Sequence, residues 1–323
     1  MARIGIPRAL LYYQYYPMWK AFFEYLGEEV VVSSPTTKGM LDVGSSCVVA
    51  ETCLPVKIFC GHVSSLANEC DYVFIPAIRS VENRVYNCSK FLGLPDMTKA
   101  VVPDCPPVLE VDIDITRGKR YLYQSIYKLG RPFTWNPIRI KKAVQAALEE
   151  HMAYQTRMHT QRLTPLQAME GVPADQEREE GNRTSPSTTI ALVGHPYLLY
   201  DEYVNQRLTA RLRGMGARVL VPETANQEEL EAAVVRLAGS TYWTYEEEVV
   251  GAGGYYLENE ADGVIGLSAF GCGPDSLMMD AVNRHAGRLG KPFMNLTLDE
   301  HTAEAGLLTR LEAFLDMIRR RRG

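Results

Sequence analysis

"RIGIPRALLYYQYYPMWKAFFEYLGEEVVVS", residues 3–33, decides the fold. A short apolar strand leads into a Pro-containing loop rich in Tyr and Leu, and then into a helix with apolar residues at helical spacing. The helix stops at Gly27, which suits the left-handed C-cap, and a second apolar strand follows. That is a βαβ unit, and its crossover makes the two strands parallel. "TIALVGHPYLLYDEYVNQRLTARLRGMGARVLVP", residues 189–222, repeats the pattern with Gly216 at the helix end. Further on, "CDYVFIPAIRSVENRVYNC" (70–88) and "ADGVIGLSAFGCGPDS" (261–276) each set an apolar strand before a loop carrying a cysteine. The sequence thus predicts two related α/β domains, each a mostly parallel sheet flanked by helices.

The repeats set the expected division of the chain. Residues 1–137 read as an N-terminal α/β domain, and 138–158, "IRIKKAVQAALEEHMAYQTRM", as a connecting helix. Residues 159–188 are polar and rich in Pro, Gly and Ser, which describes a linker or mobile loop. Residues 189–323 form the C-terminal domain. Its last helix carries Leu307, Leu308, Leu311, Phe314, Leu315 and Ile318 on one stripe.

The chain has 323 residues, 46% of them hydrophobic and 23% charged, as in a globular protein. Its net charge of −5 argues against nucleic acid as a partner. No stretch reaches the ~18 apolar residues of a membrane span, and "MARIGIPRALLYYQYY" lacks a secretory cleavage site, so the expected location is cytoplasmic, away from membranes. Thiols stay reduced there, so seven cysteines call for a role other than disulfides.

In open α/β sheets, ligands bind beyond the carboxyl ends of the strands. Cys88 and Cys272 lie in loops leaving a strand, and Cys53 stands just before a helix whose first turn holds Pro55. Three thiolates from separate loops make a soft-metal constellation if the loops converge. Gly271 and Gly273 flank Cys272 and let backbone N–H groups approach, with a helix N-terminus behind them. Asp275 and Ser276 have a plainer reading as helix caps. No CxxC occurs, so spacing alone favours buried structural thiols. Cys60 and Cys70 read as core residues.

Four landmarks in sequence, "ETCLPVKIFCGHVSSL", "IRSVENRVYNCSKFLGLPDM", "AFGCGPDS" and "LDEHTAEAGLLTRLEAFLD", resemble one family. It is the domain related to acyl-CoA dehydratase activases, in the wider 2-hydroxyacyl-CoA dehydratase, benzoyl-CoA reductase and double-cubane-cluster group. The resemblance runs from about residue 3 to residue 316. It implies a pair of flavodoxin-like domains with an iron–sulfur cluster in the cleft between them, [4Fe-4S] or double cubane. It also implies low-potential electron transfer or reductive chemistry, with an activase-type ATPase as electron donor. An acyl-CoA or another small molecule is the candidate substrate, and a homodimer the expected assembly. Carried over by position, Cys53, Cys88 and Cys272 are the ligands, and Cys105 either joins them or leaves one iron open. Cys47 is a weaker candidate. The chain has no phosphate loop of the P-loop type, which argues against its being the ATP-hydrolysing activase itself. The alternative expectation is a non-redox module that binds CoA or a nucleotide and uses its cysteines structurally.

His62 and His301 are candidate proton donors, each inside a landmark, although His301 beside Asp299 and Glu300 also suits a helix start. Lys57 follows Cys53 by four positions and would offset negative charge, or lie solvated at the surface. His195 occupies the place that Arg8 holds in the first repeat, and both are candidates for contact with a ligand. Arg79, Glu82 and Arg84 precede Cys88 and have the same two readings as Lys57, site charges or exposed ion pairs. The aromatic "LLYYQYYPMW" (10–19) reads as core or interface ahead of a wall over a ligand, and "GAGGYY" (251–256) as a turn.

Overall fold

The computed structural model describes residues 1–82, 85–171, 188–240, 243–302 and 304–322. The chain forms two compact units: Met1–Thr156 with Tyr242–Thr244, and Arg157–Thr241 with Tyr245–Gly323.

In unit 1 the order is β1 (Arg3–Ile6), α1 (Tyr12–Leu26), β2 (Glu29–Val32), α2 (Lys38–Cys47), α3 (Leu54–Ser65) and β3 (Tyr72–Ser80). Then come α4 (Ser89–Leu92), α5 (Leu94–Val101), β4 (Val108–Asp114), α6 (Lys119–Gly130) and the long α7 (Pro137–Gln161), which runs past the unit boundary. Unit 2 adds α8 (Pro165–Glu170), β5 (Thr188–Val193), α9 (Pro196–Leu199), α10 (Leu208–Gly214), β6 (Ala217–Leu220) and α11 (Gln227–Ala238). It closes with a π-helical turn (Glu247–Gly251), α12 (Ala252–Asn259), β7 (Gly263–Ala269), α13 (Gly273–Arg288), β8 (Phe293–Leu298) and α14 (Glu304–Arg322). Residues 172–187, most of the expected linker, lie outside the described residues, as does Arg84.

Among the described residues the strands make two four-stranded sheets, ordered β2-β1-β3-β4 and β6-β5-β7-β8, with every pairing parallel. This is α/β with two flavodoxin-like domains, and the repeated strand order is what the two βαβ stretches foretell. Helices cover both faces of such sheets, so the central strands are apolar throughout: β7, GVIGLSA, is buried along its whole length. No helix among the described residues is long and apolar enough to cross a membrane.

Local chemistry sets the helix ends and packing. Gly27 ends α1 at φ 91°, the left-handed region that glycine enters without cost. Pro17 lies inside α1 and has no N–H to give the carbonyl of Tyr13 one turn back. The hydroxyl of Tyr154, fully buried on α7, donates to that carbonyl at 2.7 Å. The aromatic stretch packs as expected for core, with Leu10, Leu11, Tyr13 and Trp19 buried, and Phe22, Phe23 and Leu26 continue the same buried face of α1. In α14, Leu307, Leu311, Phe314, Leu315 and Ile318 are buried and Leu308 is half-buried.

The helices α2 and α3 cross at glycines. A Cβ on Gly44 would lie 1.8 Å from the Lys57 carbonyl oxygen, and one on Gly61 would lie 2.0 Å from that of Met40. The "GAGGYY" run differs from its reading as a turn. It opens α12, where a Cβ on Gly253 would meet Val282 at 2.8 Å and one on Gly254 would meet Leu237 at 3.0 Å. Glycine there serves close helix packing.

Two outcomes follow for stability in urea. Gly44→Ala and Gly61→Ala should each lower the unfolding free energy by about 1–3 kcal/mol, because backbone must move to admit the methyl group. Tyr154→Phe should cost about 1 kcal/mol or more, since it takes a donor from a buried carbonyl that a proline has already deprived of one.

Candidate functional site

Each sheet adds its second strand on one side of the first and its third on the other, so the switch point lies between β1 and β3 in unit 1 and between β5 and β7 in unit 2. Crevices for ligands open at the carboxyl ends of strands at such points. In unit 1, β3 pairs with β1 only at Tyr72 and Val73 and then runs on beside β4 to Ser80. Pro76, which has no N–H for a ladder, falls in this overhang, where β1 has already ended. The gap is a small apolar pocket, walled by Ile6, Pro7, Leu10, Trp19, Phe74 and Pro76 among others. The Tyr-rich stretch therefore does both things the sequence offered: it packs the core and walls a cavity.

Beside β2, Ser33 links two parts of this end. Its Oγ accepts from the Arg8 backbone N–H at 2.8 Å and contacts His62 Nδ1 at 2.8 Å. His62 Nε2 meets Thr36 Oγ1 at 2.9 Å, so both ring nitrogens are engaged by hydroxyls. Burial, helped by the nearby Arg8 charge, pulls the His62 pKa down to about 4 and keeps the ring neutral. The Arg8 guanidinium stands 5.8 Å from the Tyr12 ring centroid.

Unit 2 fills the equivalent place with charge. His195 follows β5 and is 5% exposed. Its Nδ1 lies 3.0 Å from Glu248 Oε2 in the π-helical turn, and its Nε2 lies 3.1 Å from Asp275 Oδ1 on α13. The second contact is off hydrogen-bond alignment, so it acts mainly through charge. Tyr197 stacks on the ring, and Tyr245, at φ 71°, meets it edge-on. Burial alone would lower the His195 pKa, but the carboxylates of Asp275 and Glu248 push it up to about 10. Burial likewise opposes the charge of Asp275, yet His195, the Cys272 thiol and the Ala269 N–H hold its pKa below the usual value.

Cys53, Cys88 and Cys272 share one local position. Each is the extended residue just before a helix (α3, α4 and α13), and none caps its helix with a side-chain hydrogen bond. The first two belong to unit 1 and the third to unit 2. Cys272 donates to the Asp275 carboxylate, so Asp275, read from the sequence as a cap, serves the thiol and His195 instead. Cys60 is fully buried, and burial, with Cys47 and Cys105 adding, pushes its pKa up to about 12. Cys70 and Cys105 are half-buried thiols that donate to the carbonyls of Leu66 and Pro106, and burial raises both pKa values. Cys47 closes α2.

The remaining candidates fall as follows. Lys57 is buried, and its Nζ donates to the Ala50 carbonyl at 2.9 Å. Gly271 adopts φ 80°, and a Cβ on Gly273 would meet open space. His301 is exposed in the turn before α14, with its N–H on Asp299. Arg79 pairs with Asp112 at 2.9 Å, and Ser80 donates to the Glu82 carbonyl. Sequence reasoning missed Glu248 altogether: it is 53 positions from His195, and no spacing rule connects them.

Residues 3–224 match the model of a family described as "CoA enzyme activase uncharacterised domain (DUF2229)", and the chain belongs to that family. No curated protein matches the chain. The match supports the activase-related part of the resemblance and overturns the iron–sulfur electron carrier expected from it. The family is one of enzyme activases, and among the described residues no three His, Cys, Asp or Glu side chains are grouped so as to hold a metal ion. The expected partnership is also reversed: the chain stands on the activase side and is not the recipient of an activase's electron. The non-redox alternative fits these findings better.

Stability should depend on pH through both histidines. His62 is neutral in the fold with a pKa depressed from 6.5, so the unfolded chain binds more protons in acid. Its contribution is present above pH 6.5 and lost as pH falls towards 4. His195 has the opposite sign. Its contribution is full below pH 6.5 and lost as pH rises through about 10. Urea unfolding at stepped pH should show His62→Gln flattening the acid limb and His195→Gln the alkaline one. The second variant should also lose about 3 kcal/mol at neutral pH, because it strands the buried Asp275 carboxylate and the half-buried Glu248.

Proposed function

We propose that this member of the CoA enzyme activase family is a non-redox module that binds CoA esters, acts on the activase side of an acyl-CoA dehydratase system, and has that dehydratase as its partner. The observation that carries the reading is the family match over residues 3–224. The apolar pocket at the unit 1 switch point supports it, since a parallel-sheet crevice with Arg8 in the adjoining loop offers apolar walls and a cation for an anionic ester.

The thiols fit structural duty. Cys60, Cys70 and Cys105 have raised pKa values and stay protonated, and the Cys272 thiol donates to Asp275. Within this reading the buried His195 network stabilises unit 2, and His62 fastens α3 to the residues after β2.

Calorimetric titration of the full chain with CoA and with hexanoyl-CoA tests the proposal. The ester should bind saturably at one site per chain, and more tightly than CoA alone. Cys53→Ala, Cys88→Ala and Cys272→Ala should each leave that affinity within about twofold, the spread expected of substitutions away from a binding site. Absence of saturable binding by either ligand would overturn the proposal, and so would loss of binding in any of the three cysteine variants while they remain folded.

A further inference from the structure

Helix α7 carries apolar residues on two opposite faces. One face is core, where Ile140, Ala143, Ala147 and Tyr154 are buried. On the other, Ile138 is 64% exposed, Leu148 50% and Met152 58%, and Trp135, two residues ahead of the helix, is 77% exposed. A helix with one face in water ordinarily sets polar residues there, and single exposed apolar side chains need no explanation. These are not scattered. At about 3.6 residues per turn, Ile138, Lys141, Gln145, Leu148 and Met152 fall on one stripe about 21 Å long. Ile138, Gln145 and Met152 recur every seven positions, the spacing of a seam between paired helices. Lys142 and Glu149 border the stripe, and Lys141, Lys142, Gln145 and Glu149 are all exposed. Reversed about Gln145, the stripe is its own complement. Turned end for end, it sets Ile138 opposite Met152, and Lys141 and Lys142 opposite Leu148 and Glu149. Run parallel to itself, it would set lysine against lysine and Glu149 against Glu149. Self-complementarity of the first kind is what a two-fold interface requires.

We propose that the outer face of α7 is the docking surface for a second copy of this chain, the two α7 helices packing antiparallel about a two-fold axis at Gln145. The proposal stands apart from the CoA-ester reading and gives the homodimer expected from the sequence a named interface. Ile138 packs on the partner's Met152 at each end of the seam. Lys141 and Lys142 flank the partner's Glu149, so charge opposes charge on both sides of the axis. Gln145 Nε2 donates to Glu149 Oε1 at 2.8 Å within its own helix. Its amide carbonyl can accept from the partner's Gln145, and a polar residue at such a centre fixes the register. Trp135 extends the seam towards the partner's Ala153, a small residue with room for the ring. The Arg131 guanidinium lies over that ring and steadies it. Tryptophan is among the residues that carry most of the energy at protein interfaces. Every residue of the seam belongs to unit 1.

Sedimentation velocity of the full chain tests the proposal. A series over about 1–100 μM, the range suited to a small interface, should show reversible exchange between monomer and dimer. Met152→Asp should weaken the dimer about tenfold or more, as loss of a central apolar contact does. Glu149→Lys, which sets lysine against lysine, should weaken it by about the same factor. Adding Lys141→Glu and Lys142→Glu to Glu149→Lys exchanges the two signs and should restore the dimer. Val235→Asp, at an exposed apolar residue of α11, should leave it unchanged. Gln145→Cys should join two chains by a disulfide at the axis on mild oxidation, beyond any crosslinking of the native chain. Circular dichroism checks that each variant is folded, and if Met152→Asp is not, the exchange of charges decides the matter. A chain that stays monomeric throughout the series overturns the proposal. So does a dimer that survives both Met152→Asp and Glu149→Lys, because its interface then lies elsewhere. Loss of the dimer in Glu149→Lys without recovery in the triple variant overturns the antiparallel pairing.

Discussion

A parallel sheet must be covered on both faces, and a strand order that reverses after its second strand must leave a gap at one end. Both sheets of this chain obey the two conditions together, with the same order in each. The covering helices explain why glycines sit where α2 meets α3 and along α12: backbone has to approach backbone at those crossings. The gap explains the overhang of β3 beyond β1. It also explains how a central strand tolerates Pro76, because the ladder on one side has already stopped. Position of the pocket, choice of lining residues and tolerance of a proline all descend from that one topological reversal.

Much of the fold was legible because its signals are local. Apolar runs, helical spacing and the terminating Gly27 and Gly216 announce a βαβ unit wherever they occur, and they occur twice. The glycine run at 251–256 was not legible. Its purpose is contact with Val282 and Leu237, and only packing reveals it. The cysteines show the same limit. Cys53, Cys88 and Cys272 were singled out for lying at strand exits and helix starts, and each does precede a helix. A shared local position says nothing about whether thiols meet, and the electron-carrier function inferred from it did not survive the family match. His195 was placed correctly in its loop, but its partners come from the π-helical turn and from α13, at separations no spacing encodes. Periodicity predicts that Trp19 is buried. It cannot predict that the indole N–H is left without an acceptor.

The two switch points show how one fold supports different chemistry. Each end carries a histidine, and the neighbours decide its charge. Burial, helped by the Arg8 charge, leaves His62 neutral between the hydroxyls of Ser33 and Thr36, whereas two carboxylates keep His195 protonated despite its burial. A buried cation between two anions is stable only while all three stay together, since removing any member exposes the desolvation cost of the others. That network therefore resists opening.

The crevice of unit 1 is lined differently, by the apolar side chains of β1, α1 and β3. Binding in unit 2 would have to repay the loss of a buried ion network, while binding in unit 1 would gain apolar contact. A duplicated fold that rigidified one crevice and left the other open would concentrate recognition in the N-terminal copy. The apolar pocket lies there, walled by α1 and the loop that leads into it.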